Sequence, residues 1–272
     1  MPVTYEVEDG VGIITLDRPD RMNAWTGAME RALREAFAKA ESDPNARLIH
    51  LTGAGRAFCA GADIEDGAFA GEGQGSPLAA PPHVEGDFNQ RYSYIAGVNK
   101  PVIAAINGAA AGIGLVLTLF ADIRLVRSGA KLTTAFAQRG LVAEHGAAWL
   151  LPRLIGEMRA AELLFSGRVF LGAEAEAMGL ALALPDEDFA KAALDWSKGL
   201  AGSTSPRSTS LIKQQMRAAR GQSLTEATRL AEKLLETCDN HPEMIEGIAH
   251  WVEKRSPRFA NYDPRSEAGL FD

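Results

Sequence analysis

Cysteine is scarce in this chain of 272 residues, which contains only Cys59 and Cys238. Two cysteines so far apart provide neither a disulfide framework nor the paired spacing of a zinc site. The histidines add no metal-binding pattern, because His50 falls in a predicted strand and His83 in a predicted loop. The sequence therefore predicts no metal site, and it favours a reducing compartment, which we take to be the cytoplasm.

Positive charge is also in short supply. The chain has 28 Lys and Arg against 35 Asp and Glu, and its formal net charge is -7. Because nucleic-acid binding needs a positive field, this balance argues against a nucleic-acid partner. It leaves room for a local basic pocket that binds a phosphorylated ligand. The first residues, Met1 to Glu6, lack the basic and apolar regions of a secretion signal, so no leader is predicted.

An uninterrupted membrane-length apolar segment is missing as well. The apolar run at residues 103–120 is divided by Asn107-Gly108, and Asp122 and Arg124 follow it directly. A membrane helix needs about 20 consecutive apolar residues. We therefore predict a buried strand, a tight turn and a buried helix here, and no membrane partner.

Strand and helix patterns alternate along the first part of the chain. Val3–Glu8 and Val11–Leu16 flank Asp9-Gly10, which predicts a β-hairpin. A helix is predicted from Thr26 to Ala40, with Thr26 as its cap. Further buried strands are predicted at 48–52, 102–106 and 123–127, and a helix at 87–97. Glycine turns join several of these elements, so the pattern indicates an α/β fold.

The composition changes after Pro152, where the pattern becomes mostly helical. A Ser/Thr/Pro-rich stretch at 202–210 is predicted to be a linker, and 211–250 is predicted to form two or three helices. We therefore divide the chain into a core at 1–205 and a C-terminal helical region at 206–272. The Gly/Ala/Pro-rich stretch 67–82 can bury little surface, and we predict that it is a mobile loop.

Two glycine turns carry the functional signal, one at 58–64 and the other at 107–114. Each follows a strand, and the second opens a helix, where backbone N–H groups are free. Two such groups aimed at one oxygen form an oxyanion hole, which suits a thioester carbonyl that becomes an enolate. Alternatively, both turns are simple strand-to-helix connections. A dinucleotide site is disfavoured because the third glycine of its motif is missing.

Taken together, these segments resemble the crotonase, or enoyl-CoA hydratase/isomerase, superfamily. The resemblance runs in order through Asp17-Arg18-Pro19, Asn23-Ala24, 58–64, Lys100-Pro101 to Gly114, Ala121-Asp122-Ile123, 140–154 and 246–255. It implies a β-β-α spiral core and a C-terminal helical trimerisation region, in a homotrimer or hexamer. It also implies an acyl-CoA substrate, with coenzyme A as part of that substrate and no other cofactor.

The resemblance assigns roles to individual residues. It places the two oxyanion donors on the N–H groups of Ala60 and Ile113, although the family usually has glycine at the second position. The implied CoA contacts are Arg21 and Met22 near the pantetheine, Ala62, Asp63 and Ile64 beside the adenine, Trp251 near the acyl tail, and Lys254 near the phosphates. For Trp251 and Lys254, a packing tryptophan and a solvated lysine are the alternatives.

The chain departs from the family at the two glutamates that activate water in hydratases. These positions fall on Val116 and Phe136, whose side chains cannot transfer a proton. Glu144 remains, at a position where isomerases and a dehalogenase of the family carry their only catalytic acid. A surface or helix-start carboxylate is the alternative reading of Glu144. His145 could tune Glu144, bind a polar substrate group or serve packing.

The leading hypothesis is therefore an enoyl-CoA isomerase in which Glu144 moves a proton while Ala60 and Ile113 hold the thioester oxygen. Val116 and Phe136 would keep water out. A hydratase that activates water with Glu144 and His145 is the alternative within the same chemistry, and a dehalogenase or hydrolase is a third. A CoA-binding protein without catalysis would explain the missing glutamates but not the retained Glu144.

Overall fold

The computed structural model describes residues 1–63, 86–267 and 269–271. The predicted loop 67–82, the predicted CoA contact Ile64 and His83 lie outside the described residues. The strands are β1 (Val3–Glu8), β2 (Val11–Leu16), β3 (Leu48–Gly53), β4 (Ala57–Cys59), β5 (Val102–Ile106), β6 (Ala109–Ala111), β7 (Ile123–Arg127), β8 (Lys131–Thr133), β9 (Phe170–Leu171) and β10 (Leu182–Leu184). The helices are α1 (Gly27–Ser42), α2 (Tyr94–Gly97), α3 (Ile113–Leu119), α4 (Ala147–Ile155), α5 (Glu157–Ser166), α6 (Gly172–Ala177), α7 (Phe189–Ser203), α8 (Pro206–Ala218), α9 (Leu224–Glu236) and α10 (Pro242–Glu253).

The strands form two sheets that the chain visits alternately. The larger sheet has the order β1-β2-β3-β5-β7-β10, and the smaller has the order β4-β6-β8-β9. Each successive pair, β3–β4, β5–β6 and β7–β8, places its first strand in the larger sheet and its second in the smaller. The chain therefore winds as a β-β-α spiral, and the α/β fold class predicted from the sequence is confirmed.

Local sequence signals explain the first elements. β1 and β2 pair antiparallel as the predicted hairpin, with Glu8 opposite Val11. Asp9 and Gly10 both have positive φ, at 49° and 83°, as expected for the tight turn of a two-residue hairpin. The Thr26 side chain accepts a hydrogen bond from the N–H of Met29 and caps α1, because the first helical N–H groups have no partner within the helix.

Apolar side chains pack on both faces of the larger sheet. One face meets the smaller sheet together with α1, α3, α4 and α5 in the main core. The other face is covered by α7, whose Phe189 and Ala193 contact Val11 and Leu125 among others. Both faces of the central parallel strands are therefore buried, which explains their nearly continuous apolar sequences.

Three local predictions differ from the structure or are refined by it. The predicted linker at 202–210 is wrong, because α7 continues to Ser203 and α8 begins at Pro206, with Ser205 as its cap. The predicted helix at 87–97 is a 3₁₀ turn at 86–89 followed by the short α2. The apolar run at 103–120 forms β5 and α3 as predicted, but the short strand β6 lies where a tight turn was predicted. In the described ranges, no helix is both long enough and apolar enough to cross a membrane.

Helix α8 is attached to the core by buried charges. The Lys213 ammonium donates to the carbonyl of Lys100 at 3.0 Å and lies 2.8 Å from the Asp122 carboxylate. Lys100 in turn donates to the carbonyls of Ala40 and Asp43, at 2.9 and 2.6 Å, at the end of α1. Lys100 thus closes the C-terminus of a helix, where a cation is favoured. The division at 205/206 stays a prediction.

Candidate active site

The two glycine turns lie against each other. β4 and β6 pair in parallel, with Cys59 opposite Ala110. A Cβ added at Gly114 would overlap the Cys59 carbonyl oxygen, and one added at Gly61 would lie 3.4 Å from the Ala111 carbonyl oxygen. Glycine at these positions therefore allows the backbone of one turn to touch the other. The start of α3 and the segment after Cys59 consequently share one location.

The segment before α1 adds a third wall to this location. The N–H of Trp25 donates to the Gly61 carbonyl at 2.8 Å, and the N–H of Asp63 donates to the Trp25 carbonyl at 2.9 Å. The buried Asp63 carboxylate lies 3.0 Å from the guanidinium of Arg18 and 3.3 Å from that of Arg21. The structure thus brings together five of the predicted residues, namely Arg21, Met22, Ala60, Ala62 and Asp63.

Backbone N–H groups at this location differ in whether they already donate a hydrogen bond within the chain. The N–H of Ala60 already donates to the Met22 carbonyl at 3.1 Å. Ala62 pairs with Trp25 as a parallel bridge whose two hydrogen bonds use Gly61 and Asp63. The N–H of Ala62 therefore points away from Trp25, and it has no hydrogen-bond acceptor among the described residues. Ile113 is the first residue of α3, so its N–H has no acceptor within the helix.

Glu144 and His145 lie just before α4. His145 and Gly146 both have positive φ, at 53° and 84°, which turns the chain sharply ahead of the helix. The His145 Nε2 is 3.7 Å from a Glu144 carboxylate oxygen, a distance too long for a hydrogen bond. The Glu144 side chain is 39% exposed. The predicted acid is therefore accessible to a ligand in the single chain.

Neighbours of His145 were not found from the sequence. The His145 ring meets the Tyr92 ring edge-on, with 4.9 Å between centroids. The Tyr92 hydroxyl accepts a hydrogen bond from the Trp25 indole at 3.0 Å and donates to Glu30 at 3.3 Å. Arg91 donates to both Glu30 carboxylate oxygens, at 3.0 and 2.9 Å from its Nε. The sequence does contain a signal for Glu30. Its carboxylate stands on the apolar face of helix α1, where a charged side chain is unusual.

The charge state of His145 follows from these neighbours. The pKa of His145 is lowered to about 4, mainly by burial and then by the nearby Arg91 charge, while the Glu30 charge opposes the shift more weakly. The imidazole is therefore neutral at pH 7, and its contact with Glu144 is not an ion pair at that pH. A neutral imidazole can either donate or accept one hydrogen bond at the exposed nitrogen.

His145 also lines a cavity of about 640 Å³. The volume lies within the range of small-molecule sites. The rings of Phe88, Tyr92, Phe120 and Trp149 line it, and Phe120 at the end of α3 lies beside Gly146. Asp87, Gln90, Arg91, Arg217 and Arg220 supply the polar lining. The cavity therefore extends from the Glu144–His145 turn toward α8.

The remaining predicted residues belong to the main core or to the C-terminal helices. Val116 and Phe136 are 1% and 4% exposed and belong to the main core. Trp251 is 79% exposed, and Lys254 is an exposed residue with positive φ that ends α10. Within the described part of the chain, neither Trp251 nor Lys254 contacts the glycine turns or Glu144.

The whole-chain comparison agrees with these features. A family model described as enoyl-CoA hydratase/isomerase matches residues 6–262. The chain belongs to the enoyl-CoA hydratase/isomerase family, the crotonase superfamily. It is accordingly an enzyme of this superfamily, and the β-β-α spiral is the crotonase fold.

Relatives of this crotonase match four fifths or more of its length. It is 35% identical to the 1,2-epoxyphenylacetyl-CoA isomerase of Escherichia coli (strain K12), over 94% of this chain and 97% of that protein. It is 40% identical to the probable enoyl-CoA hydratase EchA14 of Mycobacterium tuberculosis (strain ATCC 25618 / H37Rv), over 80% of this chain and 82% of that protein. A solved structure of a probable enoyl-CoA hydratase/isomerase from Mycobacterium abscessus aligns with a TM-score of 0.82 at 32% identity, covering 96% of this chain and 98% of the other.

Proposed function

We propose that this enzyme moves the double bond of an enoyl-CoA and that Glu144 carries the proton. The observation that supports this most strongly is the placement of carboxylates. The positions where the family's hydratases have glutamates hold the buried side chains of Val116 and Phe136, which cannot transfer a proton. Glu144 is accessible and directly precedes His145 in the cavity wall. The Escherichia coli relative is named an isomerase of another CoA thioester, 1,2-epoxyphenylacetyl-CoA, which supports isomerisation only as the class of reaction.

The reaction requires one base and one oxyanion site. Glu144 would take a proton from C2 of a 3-enoyl-CoA, and the electron pair would move into the thioester as a dienolate. Glu144, which is partly exposed and therefore exchanges its acid proton with solvent, would then donate a proton to C4, which leaves the double bond between C2 and C3. A single carboxylate can perform both transfers because it is base in the first step and acid in the second.

The oxyanion site would be formed by backbone N–H groups of the two glycine turns. Ile113 supplies one, as the resemblance implies. On the other turn the resemblance points to Ala60, but its N–H is bonded to Met22 and would have to leave that acceptor first. We therefore keep Ala60 and Ile113 as the donor pair, with the Ala60 N–H exchanging Met22 for the thioester oxygen when the substrate binds.

Coenzyme A would enter along the segment that joins the predicted contacts. Arg21, Met22 and Asp63 line the approach to the glycine turns. Trp251 and Lys254 are too exposed to complete this site in their own chain. We propose that they act in a homotrimer or hexamer, where α10 of one copy approaches the CoA of another.

Product analysis in deuterated water tests the proposal. The protein is incubated separately with a short 3-enoyl-CoA and the matching 2-enoyl-CoA, and the products are identified by mass spectrometry and NMR. We expect interconversion of the two positional isomers, with deuterium incorporated at C2 or C4. A 3-hydroxyacyl-CoA as the main product would show hydration and overturn the proposal.

Hydration is the second candidate because one observation favours it. Neutral His145 next to Glu144 could hold a water molecule for attack, and the Mycobacterium tuberculosis relative is named a probable enoyl-CoA hydratase. If neither isomer is consumed while both bind, the chain would instead be a CoA-ester-binding protein without this catalysis.

A further inference from the structure

The far end of the cavity beside His145 has an unusual combination of aromatic rings and arginines. The Arg217 guanidinium lies 5.5 Å from the centre of the Phe88 ring, and that of Arg220 lies 5.7 Å from the same ring. Arg220 also lies 5.5 Å from the Trp149 ring. Each guanidinium thus lies within the roughly 6 Å of a ring centre at which a cation–π attraction acts, and this attraction uses none of its N–H donors.

Arg217 has no anionic partner among the described residues. It donates to the Gly97 carbonyl and, at 3.0 Å, to the Asn99 side-chain oxygen. Both acceptors are neutral, and a guanidinium has five N–H donors. Burial lowers the pKa of Arg217, and the more distant charges of Glu41 and Asp122 offset this in part. A charged donor that is desolvated without an anion gains more from binding one than a solvated donor does.

Arg220 is exposed and makes no hydrogen bond within the described ranges. Arg91 lines the same cavity, but Glu30 already neutralises it. Asp87 is the carboxylate of the lining; it is exposed and forms no ion pair with either arginine in the described part of the chain. Arg217 and Arg220 therefore give this end of the cavity an excess of positive charge.

The position of the two arginines suits the end of an acyl chain. α3 runs from Ile113, a proposed oxyanion donor, to Leu119, and Phe120 lines the cavity. Seven helical residues span about 10 Å. A thioester held at Ile113 can therefore send a short acyl chain past Glu144 and His145 into the aromatic part of the cavity, toward α8.

We infer that this cavity selects acyl-CoA thioesters whose acyl group ends in a carboxylate, with Arg217 and Arg220 binding that carboxylate. The inference rests on the proposed function, because it takes the thioester to lie at the glycine turns. Phe88 and Trp149 would pack against the methylene chain and hold the guanidinium groups in place. A terminal methyl group would leave the Arg217 charge without an anion.

A binding measurement that needs no turnover tests the inference. Adipyl-CoA and hexanoyl-CoA have the same chain length and differ in a terminal carboxylate or methyl group, and neither has a double bond to move. Calorimetry should show that wild type binds adipyl-CoA about tenfold more tightly than hexanoyl-CoA, as expected for one charge-assisted hydrogen-bonded pair. Equal affinity for the two thioesters would overturn the inference, even if isomerase activity is found.

Variants identify the residues and the source of the anion. Arg217→Gln should remove most of the preference for adipyl-CoA, and Arg220→Gln should reduce it about threefold, since Arg220 is exposed. Affinity for hexanoyl-CoA and for free coenzyme A should stay within twofold. Arg229→Gln, at an exposed arginine of α9, is the matched control and should change nothing.

The CoA phosphates are the competing anion. If Arg217→Gln and Arg220→Gln weaken adipyl-CoA, hexanoyl-CoA and free coenzyme A equally, the arginines bind phosphate and the inference is wrong. Circular dichroism checks the fold of Arg217→Gln, whose side chain holds two core acceptors. If that variant is unfolded, Arg220→Gln decides the matter alone, and an unchanged preference in it would overturn the inference.

Discussion

Glu144 and His145 are adjacent in sequence yet have different surroundings. The Glu144 side chain is partly exposed, whereas His145 packs against Tyr92 and is neutral at pH 7. His145 therefore offers Glu144 no positive charge, whereas the guanidinium of Arg91 is a charged group near that carboxylate. His145 and Tyr92 instead fix the turn that presents Glu144.

The first prediction concerns Glu144 as the proton carrier. Glu144→Gln keeps the size and polarity of the side chain but cannot accept a proton. Turnover of an enoyl-CoA should fall by roughly two to four orders of magnitude, the usual effect of losing a general acid–base group. Hexanoyl-CoA should still bind within a few-fold of wild type, since the backbone donors are unchanged.

Steady-state kinetics and calorimetry together check this prediction. Glu157→Gln, at an exposed glutamate in the first turn of α5, is the matched control and should retain full turnover. A Glu144→Gln rate within a few-fold of wild type would show that another group carries the proton.

At the residue scale, motifs located part of the site and missed the rest. Arg21, Met22, Ala60, Ala62 and Asp63 came together because the resemblance follows backbone turns that are read directly from sequence. Glu30, Arg91 and Tyr92 did not, because their meeting depends on tertiary packing of α1 against the segment before α2. The hydrogen bond from Ala60 to Met22 depends on backbone φ values that no side-chain pattern reports.

At the element scale, most strands were predictable because their signals are local. The hairpin of β1 and β2 and the bounds of β5 and β7 follow from turn residues and continuous apolar runs. The region 202–210 was misread because Ser205 and Pro206 were taken as loop formers. Serine before a helix and proline at its first position are equally favourable signals for a helix start.

The contact of β3 with α7 leads to a prediction about pH. His50 is buried, and its Nδ1 lies 2.8 Å from the Ser197 hydroxyl. Burial lowers the pKa of His50 to about 4. As the pH falls, the unfolded chain protonates His50 near pH 6.5, whereas the folded chain does so only near pH 4. The stability is therefore full above pH 6.5 and is lost as the pH falls toward 4.

The expected size of this effect is about 3 kcal/mol between pH 7 and pH 4. The glutamine of His50→Gln does not titrate in this range. The free energy of unfolding should therefore decrease between pH 7 and pH 4 in both proteins, but by about 3 kcal/mol less in the variant than in wild type. Urea unfolding at both pH values measures the difference. An identical loss in the two proteins would show that His50 is charged in the folded state.

At the scale of the whole molecule, apolar side chains gather on the C-terminal helices without cover in one chain. The exposed apolar residues of α8, α9 and α10 include Ile212, Met216, Leu224, Leu235, Ile245, Ile248, Trp251 and Val252. Large exposed apolar surfaces on a folded protein are typical of contact sites for another protein. The sequence pattern predicted the helices, but only the fold shows which of their faces remain open.

The last prediction follows from this surface. Ile245, Ile248 and Val252 occupy one face of α10, since they are three and four residues apart. We expect a homotrimer or a hexamer by light scattering at micromolar concentration. Ile248→Glu would place a charge inside the contact and should dissociate the assembly, because burying an unpaired carboxylate is costly. Ala190→Glu, at an exposed position of α7, should leave the assembly intact.

CoA-ester affinity should fall with dissociation if Trp251 and Lys254 act across the interface. A wild-type monomer would contradict both the assembly and this role of α10.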